Sequence, residues 1–386
     1  MVNNKRICVN GVWDNTVPCI VFDDAGVSNY AKLQKKFEKA YPHGKKGKEE
    51  WLNLCERIKK RGKKKPYDCI IGLSGGTDSS YLLHLAYEYG LRPLAVNLDN
   101  GWSSDISVKN IKKITTALNI PLETYVINYE EVKDGFLSFM RASLPWIDTP
   151  TDLAIKAVLY KIAGRENIQH ILIGQDFRTE GKQPLQWTYC DNKQFLYIQK
   201  TFGKLKLKSF PLLTQLQKVL YIYVRKIRIY MPYFFLDYNK KHAQELLTEK
   251  YQWEYYGGHH HENIFSRFAF AYWLPTKFNI DKRIITLSAQ VVSNEITRNE
   301  ALEQLSQPPY PAEEIERDLD YVVKKLGIKR DELSNLMKSP NKFYCDYPSS
   351  LPLIRCYHKF FGWLLRLVTQ NKSLTFLTLD EHIDEY

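Results

Sequence analysis

Residues 67–90 read YDCIIGLSGGTDSSYLLHLAYEYG: a short apolar run, a turn built on two glycines among hydroxyl residues, then a stretch of helix formers. Tyr67 to Gly72 has the length and β-branched content of a buried strand, and Ser80 to Tyr89 is long enough for a helix. Gly75 and Gly76 let the backbone turn tightly and come close to an anion. The N–H groups at the helix start, with the helix dipole behind them, supply the positive end. Phosphate is the natural occupant. Ser74, Thr77, Ser79 and Ser80 add hydroxyl groups, and Asp78 is placed to orient the loop or to help hold Mg²⁺ on pyrophosphate. The loop lacks the Lys-Ser/Thr ending of a GxxxxGK[ST] sequence, which disfavours γ-phosphate transfer.

Outward from this loop the pattern repeats. Pro93 to Leu98 (PLAVNL), Leu122 to Ile127 (LETYVI) and His170 to Gly174 (HILIG) read as further strands, with Ile106 to Leu118 and Asp152 to Ala163 as helices between them. The second of these helices, DLAIKAVLYKIA, is apolar around most of its circumference, as a helix pressed between a sheet and another layer must be. Alternation at this spacing predicts βαβ units in a doubly wound parallel sheet, with the ligand at the carboxyl ends of the strands. The α/β domain is expected over residues 63–190. An N-terminal appendage precedes it over 1–62, a basic, aromatic connecting segment follows over 191–250, and an α-helical domain closes the chain over 251–386. In that last part Glu295 to Leu305, Pro311 to Leu326 and Asp331 to Lys338 carry helical spacing or helix-start signals.

The SGGTDSS loop, placed after the first strand and before the first helix, resembles the SGGxDS signature of the PP-loop ATP pyrophosphatases, whose fold is adenine nucleotide alpha hydrolase-like. That resemblance implies ATP with Mg²⁺ as cofactors and cleavage to AMP and pyrophosphate. It also places Asn97, Leu98 and Asp99, with Asn100, beside the nucleotide. Gly174, Gln175 and Asp176 follow another strand end and are expected to face the same crevice.

Over residues 6–345 the chain is similar to the N-acetyl sugar amidotransferases of bacterial surface-polysaccharide (LPS O-antigen) biosynthesis. The segments that carry the likeness are CVNGVWDNTVP (8–18), FDDAGVSNY (22–30), WTYCDNKQFLYIQKTFG (187–203), YYGGHHHENIFSRF (255–268) and FNIDKRIITLSAQVVSNEITRNEAL (278–302). The resemblance implies adenylation of the N-acetyl group of a nucleotide-linked sugar and its amination to an acetamidino group. The ammonia would come from a separate class I glutaminase subunit, with a synthase-like barrel subunit as a further partner. The family pattern has four cysteines near the start, spaced like a zinc site; here those positions read Cys8, Gly11, Ser28 and Ala31. Three of the four ligands are absent, so no structural zinc is expected there.

The run Gly257, Gly258, His259, His260, His261 and Glu262 is the next candidate site. His260 and Glu262 are candidates for substrate or proton-handling roles, or members of an exposed loop. Lys282 and Arg283 are candidates to neutralise substrate phosphates or departing pyrophosphate, as are Arg267 and Lys277; surface ion pairing is the bland alternative for each.

Composition sets the outer bounds. Of 386 residues, 44% are apolar and 13% aromatic, the profile of a folded globular chain rather than a disordered one. The formal net charge of +12 favours acidic partners without choosing among them. The seven cysteines are scattered with no CxxC pair, which fits a reducing compartment, and a cytoplasmic location is expected. The first residues have no secretory h-region, and no run is long and apolar enough to span a bilayer. Residues 219–236 (VLYIYVRKIRIYMPYFFL) and 357–368 (YHKFFGWLLRLV) are interrupted by basic residues and read as interfacial or partner-binding helices, or as core helices with snorkelling bases. The basic, aromatic stretch from Lys204 to Tyr238 suits docking or homodimerisation by resemblance, and RNA binding by composition. Nucleic acid is not the expected partner, but a tRNA-modifying enzyme and a non-catalytic scaffold of the same fold remain alternatives.

Overall fold

The computed structural model describes residues 6–189, 191–258 and 261–356. Its centre is a five-stranded, wholly parallel sheet in the order β3-β2-β1-β4-β5, formed by Cys69–Gly72 (β1), Pro93–Asp99 (β2), Leu122–Val126 (β3), His170–Leu172 (β4) and Arg228–Tyr230 (β5). Cys69 pairs with Pro93 and Gly72 with Val96 between β1 and β2, while Ile70 pairs with Ile171 between β1 and β4. Period two decides where β1 packs: Ile71 and Cys69 join a core under Thr77–Glu88 (α3) and Asp105–Ala117 (α4). Ile70 points to the other face, against Val158, Leu159 and Ile162 of Thr149–Arg165 (α6). Helices therefore cover both faces, as the doubly wound reading required.

The chain builds β1, β2 and β3 outward on one side, then returns to place β4 and β5 on the other. The strand order reverses between β1 and β4, so the crevice for a ligand lies at the carboxyl ends of those two strands. The loop after β1 and Gly174 after β4 both open there.

Residues 191–250 do more than connect. Arg228–Tyr230 extends the sheet beside β4, and Lys240–Tyr251 packs on α3. The span 219–236 is accordingly not one interfacial helix: it breaks into a helical turn, β5 and the 3₁₀ turn Pro232–Phe234. The N-terminal segment is likewise built in, because Trp13, Tyr30, Leu33 and Phe37 share a core with Phe177, Trp187 and Ile285. At the four cysteine-like positions, Ser28 donates its backbone N–H to the buried Cys8 Sγ (3.3 Å) and caps the helix Asn29–Ala40 (α1) through Ala31 N (3.1 Å). Arg298 on a C-terminal helix donates to the carbonyls of Cys8 and Gly11. The C-terminal helices lack a core of their own. Phe265, Trp273, Leu319 and Val322 pack with Trp102 and with Phe136 from Tyr129–Arg141 (α5), a helix the sequence pattern did not announce. The segment 357–368 lies outside the described residues.

Candidate nucleotide site

The loop from Ser74 to Ser80 is fixed by bonds among its own hydroxyls and by side chains brought from far along the chain. Ser79 Oγ accepts from Ser74 N (3.1 Å) and donates to Gly76 O (3.3 Å). Gly75 sits at φ +81°, a left-handed conformation suited to glycine, and its carbonyl accepts from Trp253 Nε1 (3.3 Å) and Asn110 Nδ2 (3.4 Å). The Tyr256 hydroxyl accepts from Thr77 N (3.1 Å), satisfying one of the open donors of the first turn of α3.

Asp78, in that first turn, is held from three sides. Tyr238 donates its hydroxyl to Oδ1, Lys240 Nζ donates to Oδ2 (3.1 Å), and Tyr233 donates to the backbone carbonyl (2.6 Å). The two phenol rings stack at 4.0 Å. Of the two roles open to Asp78, the geometry is that of orienting the loop. Gly174 packs against the same carbonyl so closely that a Cβ there would lie 2.7 Å from Asp78 O, which makes glycine obligatory at the end of β4.

Ser74, Gly76, Asp78 and Ser79 open into a cavity of about 370 Å³ whose far walls come from β2, α6 and residues 262–270. Asn97, Leu98 and Gly174 line it, as does Glu262. Gly75, Thr77, Ser80 and Asp99 do not. Asp99 is a correction to the sequence reading: its carboxylate accepts from Gly101 N (2.8 Å) and shapes the turn, while Asn100 takes the cavity wall. Ser80 is buried within the helix with its hydroxyl unpaired.

Residues 262–264 reach this site by crossing the start of α4. Glu262 O accepts from Ser104 N (2.8 Å) and Ser107 Oγ (3.1 Å), and Ser103 forms an antiparallel bridge with Asn263. His261 turns the other way. It is buried, stacks on Tyr310 at 4.9 Å, and faces a second cavity of about 480 Å³; burial, then Arg267, pulls its pKa down. His259 and His260 lie outside the described residues.

The two cavities stand back to back: Phe270 lines both, Glu180 faces the first and Thr179 the second. Lys282 borders the second with its ammonium 4.2 Å from the Trp146 ring and 4.3 Å from that of Phe270. Arg283 lines the second cavity as well, but its guanidinium is tied to Asp281 (2.8 Å) and to the carbonyls of Gln304 and Gln307. Arg267 is clamped to Asp318 through two 2.5 Å bonds, and Lys277 donates to Ser339 O (2.6 Å) and Met337 O. These three cations hold the C-terminal helices together.

What sequence reading missed is a ring of acids around the first cavity. Asp148, Asp152 and Glu180 line it, and Lys282 lies in their field. Burial, then Asp152, lifts Asp148 to about 7; burial, then Asp78, lifts Glu180 to about 8; and burial lowers Lys282 to about 8 despite the acids. Asp148 Oδ1 is buried without a hydrogen-bond partner, and the Oδ2 atom takes the Ser266 hydroxyl. Among the described residues no group of three or more ligating side chains is drawn together for a metal. The donor chemistry nevertheless fits Mg²⁺ that arrives on nucleotide phosphates and keeps several of its waters. Asp148, Asp152 and Glu180 supply the carboxyl oxygens that would neighbour it, and the ion would neutralise charge on pyrophosphate.

The raised Glu180 carboxyl has a consequence for stability. It is protonated in the folded protein at pH values where the unfolded chain has already released the proton, so its contribution is present below the ordinary carboxylate range and is lost as pH rises through about 8. Glu180→Gln is therefore expected to gain on the native protein between pH 5 and pH 9 by about 2 kcal/mol, because the side chain opens on a cavity and the full shift is not realised. Urea unfolding at the two pH values measures it; a difference that does not change with pH refutes the assignment.

Residues 262–360 match the family described as LPS biosynthesis protein WbpG-like, C-terminal domain. That match falls on the helical C-terminal part of the chain. A tRNA(Ile)-lysidine synthase from Chlamydia pneumoniae is 34% identical over 67 residues, which is 17% of this chain and 21% of that protein. The chain thus spans about a fifth of the length of the curated relative it matches. Among solved structures, the NMN synthetase from Francisella tularensis aligns with 14% identity and a TM-score of 0.30 over 81% of this chain and 98% of that one. The NH3-dependent NAD synthetase from Campylobacter jejuni aligns with 14% identity and a TM-score of 0.28 over 73% and 98%.

Proposed function

We propose that this protein is an ATP-dependent amidotransferase that forms AMP and pyrophosphate, and that its acceptor is the N-acetyl group of a nucleotide-linked sugar used in surface-polysaccharide synthesis. The observation that carries the reading is the loop Ser74 to Ser80. It places backbone amides and hydroxyls at the reversal point of the sheet, on a cavity walled by carboxylates suited to a Mg²⁺-bound triphosphate. The match to the WbpG-like C-terminal domain supports the pathway, and the second cavity, reached past Phe270 and Lys282, supports a second reactant.

An amide oxygen is a poor leaving group, and activation solves that problem. In the proposed sequence the acetamido oxygen attacks the α-phosphorus and pyrophosphate departs. Ammonia then adds to the adenylated carbon, loses a proton, and AMP leaves with the original oxygen, so that C=O becomes C=NH. Ser74 and Ser79, with the backbone amide of Gly76, hold the pyrophosphate end, and Asn97 and Leu98 flank the nucleoside. Asp148, which burial and then Asp152 lift to about 7, lines the first cavity and is the residue proposed to take up the proton. Ammonia would be delivered by a class I glutaminase subunit, because the chain has no recognisable glutaminase nucleophile motif. No described helix is long and apolar enough to cross a membrane, and a cytoplasmic site, where ATP is available, belongs to the same proposal.

The test is product analysis. The protein with Mg-ATP, ammonium chloride and a panel of UDP- and CMP-linked N-acetyl sugars is expected to release AMP only with its own sugar, and to yield a product in which NH replaces the amide oxygen. The short identity with a tRNA(Ile)-lysidine synthase motivates a parallel arm with tRNA. AMP release that needs tRNA and no sugar would replace the sugar reading with tRNA modification.

A further inference from the structure

An amphipathic helical segment in the second half of the chain turns its apolar side outward. Residues 215–224 form a continuous helical segment, Gln215–Val219 followed by the π-turn Leu220–Val224. Its inner side is used: Tyr221 stacks on Tyr160 of α6 at 6.2 Å, and Ile222 packs on the core beneath α6. Its outer side carries Leu216, Val219, Leu220, Tyr223 and Val224, all exposed, with Leu216 at 80% and Tyr223 and Val224 at 68%. The spacing i, i+3, i+4, i+7, i+8 makes these one stripe. A stripe of this kind buried in a core needs no explanation; one facing water does.

Along the chain, the charges that flank it are of a single sign. From Lys193 to Arg228 every charged side chain is basic, and no acidic residue stands between Asp191 and Asp237. Lys218 sits on the helix itself, Arg225 and Lys226 close it, and Arg228 donates back to Ile222 O at its end. Lys218 also lies near enough to Lys156 of α6 to disfavour its charge after burial has done so, which adds a further cation to the same face. Apolar side chains flanked by lysine and arginine are what lets a helix lie in a bilayer interface and pair with anionic headgroups.

We propose that the helix 215–224 docks the protein peripherally on an anionic lipid surface, inserting its Leu, Val and Tyr side chains between headgroups that Lys218, Arg225, Lys226 and Arg228 neutralise. RNA fits less well, since bases stack on aromatic rings and four of the five outward side chains are aliphatic. A stable protein partner fits less well also: five side chains on three short turns fall below the roughly 800 Å² per partner of a standard interface. The proposal does not depend on the amidotransferase reading.

The test is co-sedimentation of the full chain with vesicles of phosphatidylcholine alone or mixed with phosphatidylglycerol. Binding is expected only when phosphatidylglycerol is present, and is expected to fall as salt rises. Lys218→Gln with Lys226→Gln is expected to weaken it about thirtyfold, from about 1 kcal/mol per basic residue at the surface. Leu216→Ser with Tyr223→Ser is expected to abolish it while salt-free melting stays unchanged, since both side chains are exposed. Equal binding to phosphatidylcholine alone, no binding to either vesicle, or binding that survives both pairs of substitutions overturns the proposal. Retention of RNA instead of vesicles, lost in the same variants, assigns the patch to nucleic acid and overturns it as well.

Discussion

Gly75→Ala is expected to cost the protein about 3 kcal/mol or more, whereas Gly76→Ala, one residue on, is expected to leave the fold standing and remove nucleotide binding. The two positions differ in what a methyl group meets. At Gly75 the backbone is left-handed, and a Cβ would lie 2.2 Å from the carbonyl oxygen of Ser107 and 3.0 Å from its Cα. Both obstacles are backbone atoms of α4, which is pinned beneath Glu262 by Ser104 and Ser107, so neither can yield without shifting the helix. At Gly76 φ is −74°, and a Cβ meets only side-chain ends, Tyr256 OH at 3.1 Å, Ser74 Oγ at 3.3 Å and Glu262 Oε1 at 3.4 Å. They can move by the few tenths of an ångström required, but the methyl then stands on the wall where the proposed phosphate would approach the amides. Denaturant unfolding of both variants, with ATP binding followed by calorimetry, separates them. Equal stability loss in the pair would show that the loop tolerates no side chain for reasons other than the contact with Ser107.

How much of this was legible in the sequence follows from how local each determinant is. The strand, loop and helix at residues 67–90 were readable because apolar run, paired glycines and helix start are adjacent. The helices expected at Ile106 to Leu118 and Glu295 to Leu305 were readable from their spacing, and the structure places them at Asp105–Ala117 and Arg298–Ser306, capped by Ser104 and Thr297. β5 was not readable: Arg228–Tyr230 is three residues within a basic run, and its stability comes from pairing with β4 rather than from its own composition. Asp99 and Asn100 were separable only by structure, since one step along the end of β2 moves a side chain from the cavity to the turn. The acids Asp148, Asp152 and Glu180 and the cation Lys240 carry no motif. They meet the loop only because α6, the turn after β4 and the helix Lys240–Tyr251 are folded against it.

Asp78→Ala should show how far that distant support controls the chemistry. Lys240 is half-buried on the wall of the second cavity, and although desolvation disfavours its charge, Asp78 more than compensates, keeping the ammonium firmly protonated. Tyr238 and Tyr233 are held as neutral phenols by burial first and by Asp78 second, so both remain donors to it. Removing the carboxylate strips two charge-assisted hydrogen bonds, each worth about 1.5–3 kcal/mol, and leaves Lys240 facing the remaining acids alone. The ammonium would then move toward Glu180, and the first turn of α3 would lose the anchor that aims its amides. A displacement of about 1 Å in such a site costs roughly a hundredfold in rate, so AMP release should fall by at least that factor while stability falls by about 3 kcal/mol. Asp78→Asn keeps an acceptor for Tyr238 and should recover most of the stability but little of the rate, because the charge that fixes Lys240 is gone. Lys240→Met in the Asp78→Asn background should restore stability further and leave turnover low. If Asp78→Asn instead turns over like the native enzyme, the loop is positioned by its own hydroxyl bonds, and the Tyr238–Asp78–Lys240 clamp serves the fold alone.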